Sequence, residues 1–138
     1  MILPVVLKTG NSLPELKKKV TQADISLYAR ASGDHNPIHI DPEFAKKTPL
    51  GGTIAHGMLI LAYVSEMFVD SFGIDWLESG KLDTRFKAPA RPEDTITVSG
   101  LVTAVEDAGG AKLVRISVDC HNQNNEAVIT GEASVRVK

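Results

Sequence analysis

The chain has 138 residues, of which 43% are hydrophobic, so it is long enough to bury the core of one ordinary domain, and we expect a single domain over residues 1–138. The 15 basic residues are matched by 17 acidic ones, for a formal charge of −2, and this balance argues against a nucleic-acid partner. The single cysteine, Cys120, excludes an intrachain disulfide and a zinc site built on cysteine pairs.

Two features favour a cytoplasmic location without a membrane contact. The amino terminus lacks the charged and then apolar pattern of a secretory signal. The most apolar run, residues 54–72, approaches membrane-spanning length, but it contains Glu66 and Asp70. One acid at the centre of a bilayer costs about 2.5 to 3.5 kcal/mol. We therefore expect this run to be a buried helix.

The first predicted elements are a short strand and a helix. Residues 1–12 are rich in turn-forming residues and predict an irregular lead-in, and a short edge strand follows over residues 15–20. Thr21, with an acid three residues later, is typical of a helix start. Apolar residues then recur at helical spacing, which predicts a helix over Gln22–Ser32, ended by Gly33.

The segment Gly-Asp-His-Asn-Pro-Ile-His, residues 33–39, brings together an acid, an amide and two imidazoles. Pro37 fixes its own φ and drives the residue before it towards extended backbone, so Asp34 and His39 are predicted to lie on a loop and not on one helix. A loop held between two helices can direct polar side chains into one cleft, as catalytic groups often require. We therefore place the chemistry of the protein in this segment.

The segment after it leads into the longest predicted helix. Asp41 and Pro42 are a good N-cap and first-turn pair, and they predict a short helix over residues 42–47. Residues 48–53 form a loop, whose two glycines lack the lysine and hydroxyl residue of a phosphate-binding loop. Residues 54–72 are apolar nearly all round, and a helix of that kind has to be enclosed.

Alternation with a period of two residues takes over in the last third of the chain. It predicts strands over residues 82–86, 96–104, 114–121 and 127–137. In the third of these, Cys120 points inward and His121 outward. One long buried helix followed by three long antiparallel strands predicts an α+β fold, in which a curved antiparallel sheet wraps around a central helix.

Four stretches of the sequence form a joint pattern that is more specific than any one of them. They read YARASGDHNPIHID at residues 28–41, IAHGML at 54–59, RFKAPARPEDT at 85–95 and TGEASV at 130–135. Together they resemble the MaoC-like family, the (R)-specific enoyl-CoA hydratases, including the (3R)-hydroxyacyl-carrier-protein dehydratase subunits. The resemblance implies a hot-dog fold, in agreement with the helix and sheet pattern, and a site completed across a dimer.

The resemblance also implies a role for each polar residue of the site. Asp34 and His39 match the catalytic pair that binds and activates one water molecule, and Asn36 matches the residue that orients it. Acid–base catalysis of this kind contributes about 10²- to 10⁴-fold in rate. Gly57 matches the oxyanion-hole donor through its backbone N–H. His56 is interpreted from its own place in the sequence as a supporting hydrogen-bonding residue at the helix entry, and not as a proton carrier.

The implied reaction is the reversible hydration of trans-2-enoyl thioesters, or the dehydration of (3R)-3-hydroxyacyl thioesters. The implied carrier is CoA or an acyl carrier protein, and no cofactor or metal is expected. Arg85, Lys87 and Arg91 have the charge to bind a nucleotide phosphate or an acidic carrier protein. A homodimer is the expected assembly, with a dimer of dimers or a heteromer as alternatives. Some relatives have a serine at the position of Ala62, so its supporting hydroxyl is absent here.

Three other hypotheses use the same residues. A metal site has suitable ligand types in Asp34, His35, His39 and Asp41. However, Pro37 rules out a helical pair of histidines, and His35 falls at a position that the motif leaves open, where we expect it to be exposed. A hot-dog thioesterase would share the fold and the thioester substrate. A non-catalytic acyl-thioester-binding subunit is the third alternative, although the presence of both Asp34 and His39 favours an enzyme.

Overall fold

The computed structural model describes residues 7–138, and residues 1–6 of the predicted lead-in lie outside the described residues. The α+β prediction is confirmed. The helix over Ile74–Ser79 has no counterpart among the predicted elements, and a helical turn over Pro37–Ile40 replaces part of a predicted loop. In chain order the elements are β1 (Leu16–Lys19), α1 (Gln22–Ser32), α2 (Pro37–Ile40), α3 (Pro42–Lys46), α4 (Gly57–Phe72), α5 (Ile74–Ser79), β2 (Lys81–Phe86), β3 (Thr95–Ala108), β4 (Ala111–His121) and β5 (Ala127–Val137).

The strands form one antiparallel sheet in the order β1-β3-β4-β5-β2. The three long strands β3, β4 and β5 are neighbours in the sheet and follow one another along the chain, as the period-two pattern predicted. The short strands β1 and β2 are the two edges. The register pairs Val98 with Cys120 and Cys120 with Ile129, so a row of buried side chains crosses the sheet. Burial raises the pKa of the Cys120 thiol to about 12, so this inward-pointing cysteine is a neutral filler of the core.

Helix α4 packs on the buried face of the sheet and supplies the centre of the core. Its Val64 and Phe68 are both 0% exposed. The helix and the sheet come close at Gly100 of β3, where a Cβ would lie 3.0 Å from Ile116 and 3.2 Å from Met67. Because glycine has no side chain at this position, the central helix can pack closely against the sheet.

Two details of the predicted central helix are wrong. The helix begins at Gly57 and not at residue 54, because the preceding segment is extended and bonded elsewhere, with the Ala55 N–H donating to the Ala90 carbonyl oxygen at 2.8 Å. The helix is also not enclosed on every side, since Met58 is 57% exposed. Across residues 7–138, no helix combines the length and the apolar character that spanning a bilayer requires.

The segment predicted as a loop contains one helical turn, α2. The side-chain oxygen of Asn36 caps this turn by accepting from the Ile38 N–H at 3.1 Å, and Pro37 is its first residue. Proline is favoured at this position because an N–H there has no intrahelical partner to lose. Pro37 therefore separates Asp34 from the helix that holds His39, but it starts that helix instead of excluding one.

The caps predicted for the two flanking helices are present. Thr21 Oγ1 accepts from the Asp24 N–H at 3.1 Å, and Gly33 ends α1 in the left-handed conformation with φ of 81°. Asp41 Oδ1 accepts from two backbone N–H groups in the first turn of α3, at 3.1 and 3.2 Å. These caps fix both ends of the segment that carries the candidate site.

Gly131→Ala is expected to lower the free energy of unfolding by about 2 kcal/mol, because it overpacks two paired strands. A Cβ at Gly131 would lie 2.2 Å from the Asp83 carbonyl oxygen and 2.7 Å from Thr84 Cα. Both atoms are backbone atoms of β2, so only a shift of that strand relieves the clash. Chemical denaturation followed by circular dichroism measures the effect. Gly52→Ala is the control, since nothing lies within 4 Å of its Cβ position; equal losses in both variants would contradict the close approach.

Candidate active site

Asp34 and His39 face each other beside the amino-terminal end of α4. Asp34 Oδ2 and His39 Nε2 are 4.0 Å apart. This distance exceeds a direct hydrogen bond and leaves room for one water molecule bonded to both atoms. The carboxyl side chain is 55% exposed and the imidazole 12%, so solvent reaches the pair from the Asp34 side. The fold thus brings together the two residues on which the sequence analysis centred.

The ring of His39 is fixed in one tautomer. Its Nδ1 lies 2.8 Å from the carbonyl oxygen of Ile54, and because a carbonyl oxygen only accepts, Nδ1 donates. In the neutral ring, Nε2 then has a free lone pair, and this is the atom that faces Asp34. Ile54 precedes α4, so the same bond ties α2 to the entrance of the central helix. His39 is therefore oriented to accept a proton at Nε2.

Hydrogen bonds to the backbone orient the Asp34 carboxylate. Its Oδ1 accepts from the Asn36 N–H at 3.3 Å, while its own N–H donates to Ser32 Oγ at 3.2 Å. Oδ1 is thereby held against the loop. The side-chain oxygen of Asn36 serves as the cap of α2, so its amide nitrogen is the group left to contact a ligand. His35 is exposed, as expected.

His56 lies next to the pair and contacts both of its members. Its Nε2 donates to the backbone oxygen of Asp34 at 3.0 Å. Its ring stacks on His39, with centroids 3.8 Å apart and planes 24° apart, and also contacts Tyr28 at 4.8 Å. His56 is 3% exposed, and within residues 7–138 its Nδ1 has no hydrogen-bond partner. It is the N-cap residue of α4 but makes no side-chain capping bond, and its side chain binds the 33–39 segment instead.

Gly57 is the first residue of α4, and helix geometry gives the N–H groups of the first turn no intrahelical acceptor. The glycine is exposed, and a Cβ on it would lie 3.0 Å from the Phe86 ring. Beside it is a cavity of about 320 Å³, whose walls are mostly apolar and include Ile54, Ile60 and Lys87. The helix terminus thus presents N–H donors and a partial positive charge next to an apolar cavity.

The three cations expected to bind the carrier have different surroundings. Arg91 Nη1 donates to the Leu50 carbonyl oxygen at 2.7 Å, and its backbone N–H donates to Asp94 Oδ2 at 2.8 Å. This arginine therefore braces the loop before α4. Arg85 and Lys87 are exposed at the end of edge strand β2, and Lys87 lines the cavity described above. These two cations are the ones open to a ligand.

The metal-binding alternative fits this geometry poorly. Asp34, His39 and His56 bring one ligand atom each within 4.8 Å of one another, but His35 is exposed and Asp41 caps α3. Zinc lies about 2.0 to 2.1 Å from an imidazole nitrogen, close to the ring plane. Two rings stacked 3.8 Å apart offer no common point of that kind. The two histidines are therefore arranged for hydrogen bonding and stacking.

Two side chains that contact the site were not singled out by the sequence. Gln22 donates through Nε2 to the His39 carbonyl oxygen at 2.9 Å and accepts through Oε1 from the Thr53 hydroxyl at 2.8 Å. Phe86 is 55% exposed, and its ring lies against Gly57. No local signal marks Gln22, which in the sequence is only the first residue of an amphipathic helix. Its partners lie far along the chain, so only the folded chain reveals it.

Comparison with known proteins identifies related sequences over nearly the whole chain. The family model described as MaoC like domain matches residues 8–124. The chain is 33% identical over 131 residues to the (R)-specific enoyl-CoA hydratase of Rhodospirillum rubrum, which covers 95% of this chain and 88% of that protein. It is 31% identical over 122 residues to the 3-hydroxybutyryl-CoA dehydratase of Methylorubrum extorquens, which covers 88% of this chain and 76% of that protein.

A solved structure shares the arrangement of helices and strands. The (R)-hydratase from A. caviae involved in PHA biosynthesis matches with a TM-score of 0.83 at 27% sequence identity, over 96% of this chain and 98% of that chain. The expected hot-dog fold is thereby confirmed. Since the family model, the related sequences and the fold all agree, the chain belongs to the MaoC-like family of hot-dog-fold hydratases and dehydratases.

Proposed function

We propose that the protein catalyses the reversible hydration of trans-2-enoyl thioesters to (3R)-3-hydroxyacyl thioesters, with CoA as the carrier. The observation that carries the proposal is the 4.0 Å gap between Asp34 Oδ2 and His39 Nε2, beside the first turn of α4. The names of the two related sequences described above support it, since one is an (R)-specific enoyl-CoA hydratase and the other a 3-hydroxybutyryl-CoA dehydratase.

The reaction adds water across a carbon–carbon double bond. A water molecule between Asp34 and His39 transfers a proton to His39 Nε2 while its oxygen bonds to the β carbon of the substrate. The pair then returns one proton to the α carbon, so both side chains end the cycle in their starting state. Dehydration follows the same steps in reverse. No electrons are exchanged with another molecule, so the reaction requires no redox cofactor.

Negative charge develops on the thioester oxygen as the β carbon is attacked. The Gly57 N–H, at the positive end of α4, is proposed to donate a hydrogen bond to this oxygen. Asn36 orients the water through its side-chain amide, and His56 supports the pair through its bond to the Asp34 carbonyl oxygen. The cavity of about 320 Å³ beside the helix terminus is proposed to receive the thioester and its neighbouring carbons.

The carrier and the assembly follow from the surface around that cavity. Arg85 and Lys87 are proposed to bind the phosphate groups of CoA, and an acidic acyl carrier protein is the alternative on the same cations. Strand β2 is an edge of the sheet and ends at Phe86, which is 55% exposed. A second copy of the chain is proposed to cover this edge and enclose the cavity, with a heteromeric partner subunit as the alternative.

The purified chain is expected to hydrate crotonyl-CoA to (3R)-3-hydroxybutyryl-CoA. Loss of the enoyl absorbance measures the rate, and chiral chromatography of the product measures the stereochemistry. The same assay separates the competing functions. A thioesterase would release free thiol without loss of the double bond, and a non-catalytic subunit would bind crotonyl-CoA without turnover. Either of these results, or a product of the opposite hand, would refute the proposal.

Asp34→Asn is expected to lower kcat at least about 100-fold, because it removes the carboxylate from the catalytic pair. The amide oxygen can still accept from the Asn36 N–H, so the loop keeps its shape. His35→Gln, at the exposed neighbouring position, is the control and should leave kcat within about twofold of the wild type. A normally folded Asp34→Asn protein with near-normal turnover, checked by circular dichroism, would remove Asp34 from the mechanism.

Gly57→Pro is expected to reduce kcat about 100- to 1,000-fold relative to Gly57→Ala, because proline has no N–H to donate. Proline is accepted at the first position of a helix, and His56 before it already has φ of −59° and ψ of 135°, which suit a following proline. The alanine variant is the matched control, since it keeps the N–H and puts a Cβ against the same Phe86 ring. Similar steady-state kcat values for the two variants would exclude this N–H as the oxyanion donor.

A further inference from the structure

Helix α2 holds His39 but contains no buried residue. A helix of 4 residues does not persist by itself, because nucleating a helix costs more than one turn returns. Besides the stacking of His39 on His56, its position therefore depends on polar contacts with neighbouring segments. Two of these contacts involve Ile54, whose N–H donates to the Ile38 carbonyl oxygen at 3.2 Å and whose carbonyl oxygen accepts from the His39 ring.

The side chain of Gln22 supplies a further contact, from the start of α1. Its Nε2 donates to the His39 carbonyl oxygen at 2.9 Å. Its Oε1 accepts from the Thr53 hydroxyl at 2.8 Å. Thr53 is only 9% exposed, and a polar group so deeply placed needs a partner. A single amide group thus joins α1, α2 and the extended segment that enters α4.

These bonds close a ring of contacts around the histidine. Gln22 binds the His39 backbone on one side and Thr53 on the other, and the peptide bond leads from Thr53 to Ile54. The Ile54 carbonyl oxygen then accepts from His39 Nδ1. The backbone and the imidazole of His39 are therefore held relative to the same glutamine. The four residues Gln22, Thr53, Ile54 and His39 are called the Gln22 clamp below.

We propose that Gln22 is a positioning residue, which acts through the Gln22 clamp to keep His39 Nε2 directed at Asp34. The inference rests on the proposed function, in which that nitrogen takes a proton from water. Gln22 itself does not touch the reacting atoms. Misplacing a catalytic group by about 1 Å costs about 100-fold in rate, and the loss of one constraint among several is expected to cost less, about 10-fold in kcat.

Four variants separate the Gln22 clamp from general packing. Gln22→Leu removes the hydrogen bonds to His39 and Thr53, together with the longer contact to Ser26, and keeps a good helix former. Thr53→Val removes only the hydroxyl. Thr53→Ser keeps the hydroxyl and removes only the methyl group, so it is the control for Thr53→Val. Ser26→Ala is the matched control, because it removes only the 3.3 Å contact between Gln22 Nε2 and Ser26 Oγ. For each variant, kcat and KM are measured in crotonyl-CoA hydration, and the melting temperature reports on folding.

Nuclear magnetic resonance provides a readout that does not depend on activity. The chain contains 4 histidines, so labelling them with nitrogen-15 gives a simple spectrum. The His39 Nδ1–H, bonded to Ile54, is expected to give an imidazole proton signal that is protected from exchange, and its absence from His39→Asn assigns it. If the wild-type chain proves inactive, the proposed function fails, and this signal alone decides on the Gln22 clamp.

In Gln22→Leu and Thr53→Val, we expect kcat to fall about 10-fold with KM changed by less than about twofold, and the protected signal to be lost. Thr53→Ser and Ser26→Ala should match the wild type in both readouts. The inference would be overturned if Gln22→Leu or Thr53→Val kept the protected His39 signal of the wild type. It would also be overturned if, with the wild-type chain active, either variant kept the wild-type kcat. An equal loss in Ser26→Ala would do the same. If Gln22→Leu does not fold, the comparison of Thr53→Val with Thr53→Ser decides.

Discussion

One hydrogen bond, from His39 Nδ1 to the Ile54 carbonyl oxygen at 2.8 Å, is the contact on which the rest of the site depends. It joins α2 to the segment that enters α4, and it decides which nitrogen of the neutral ring is free. Without a fixed partner, the imidazole would exchange between tautomers and rotate. With this partner, Nε2 faces Asp34, and the two side chains are held at a set position relative to the helix terminus at Gly57.

The central helix is exposed at its first residues and buried further along its length. Val64 and Phe68 of α4 are fully buried against the sheet, whereas Gly57 and Met58, the first two residues of the helix, are exposed. Many helices satisfy their first-turn N–H groups with a capping side chain, which is worth about 1 kcal/mol. Here His56 stands at the N-cap and instead donates to the Asp34 carbonyl oxygen. The uncapped terminus leaves donors that a ligand oxygen can use.

In the stretches that resemble the family, some residues stabilise the fold, and others are predicted to take part in the reaction. Asn36 and Pro37 start the helical turn that holds His39. Gly131 lets β2 approach β5 so closely that a Cβ would meet backbone atoms. Arg91 binds the backbone of the loop before α4, although its charge alone suggested a ligand. A motif residue therefore cannot be assigned to catalysis from its position in the motif; its contacts in the fold show whether it shapes the site or can reach a substrate.

The sequence by itself determined the α+β class, the helices α1 and α3, the body of α4 and the long strands, because caps, prolines and hydrophobic periods act over a few residues. The residues of segment 33–39 themselves indicated where the site lies, and the resemblance supplied the predicted roles of Asp34 and His39. Only the tertiary structure decided that the free nitrogen of His39 faces Asp34, that His56 binds Asp34, that Gln22 binds His39 and that Arg91 binds a loop. The hydrogen bonds behind these facts join residues between 15 and 41 positions apart. Such contacts exist only after the chain has folded back on itself, so no local pattern encodes them.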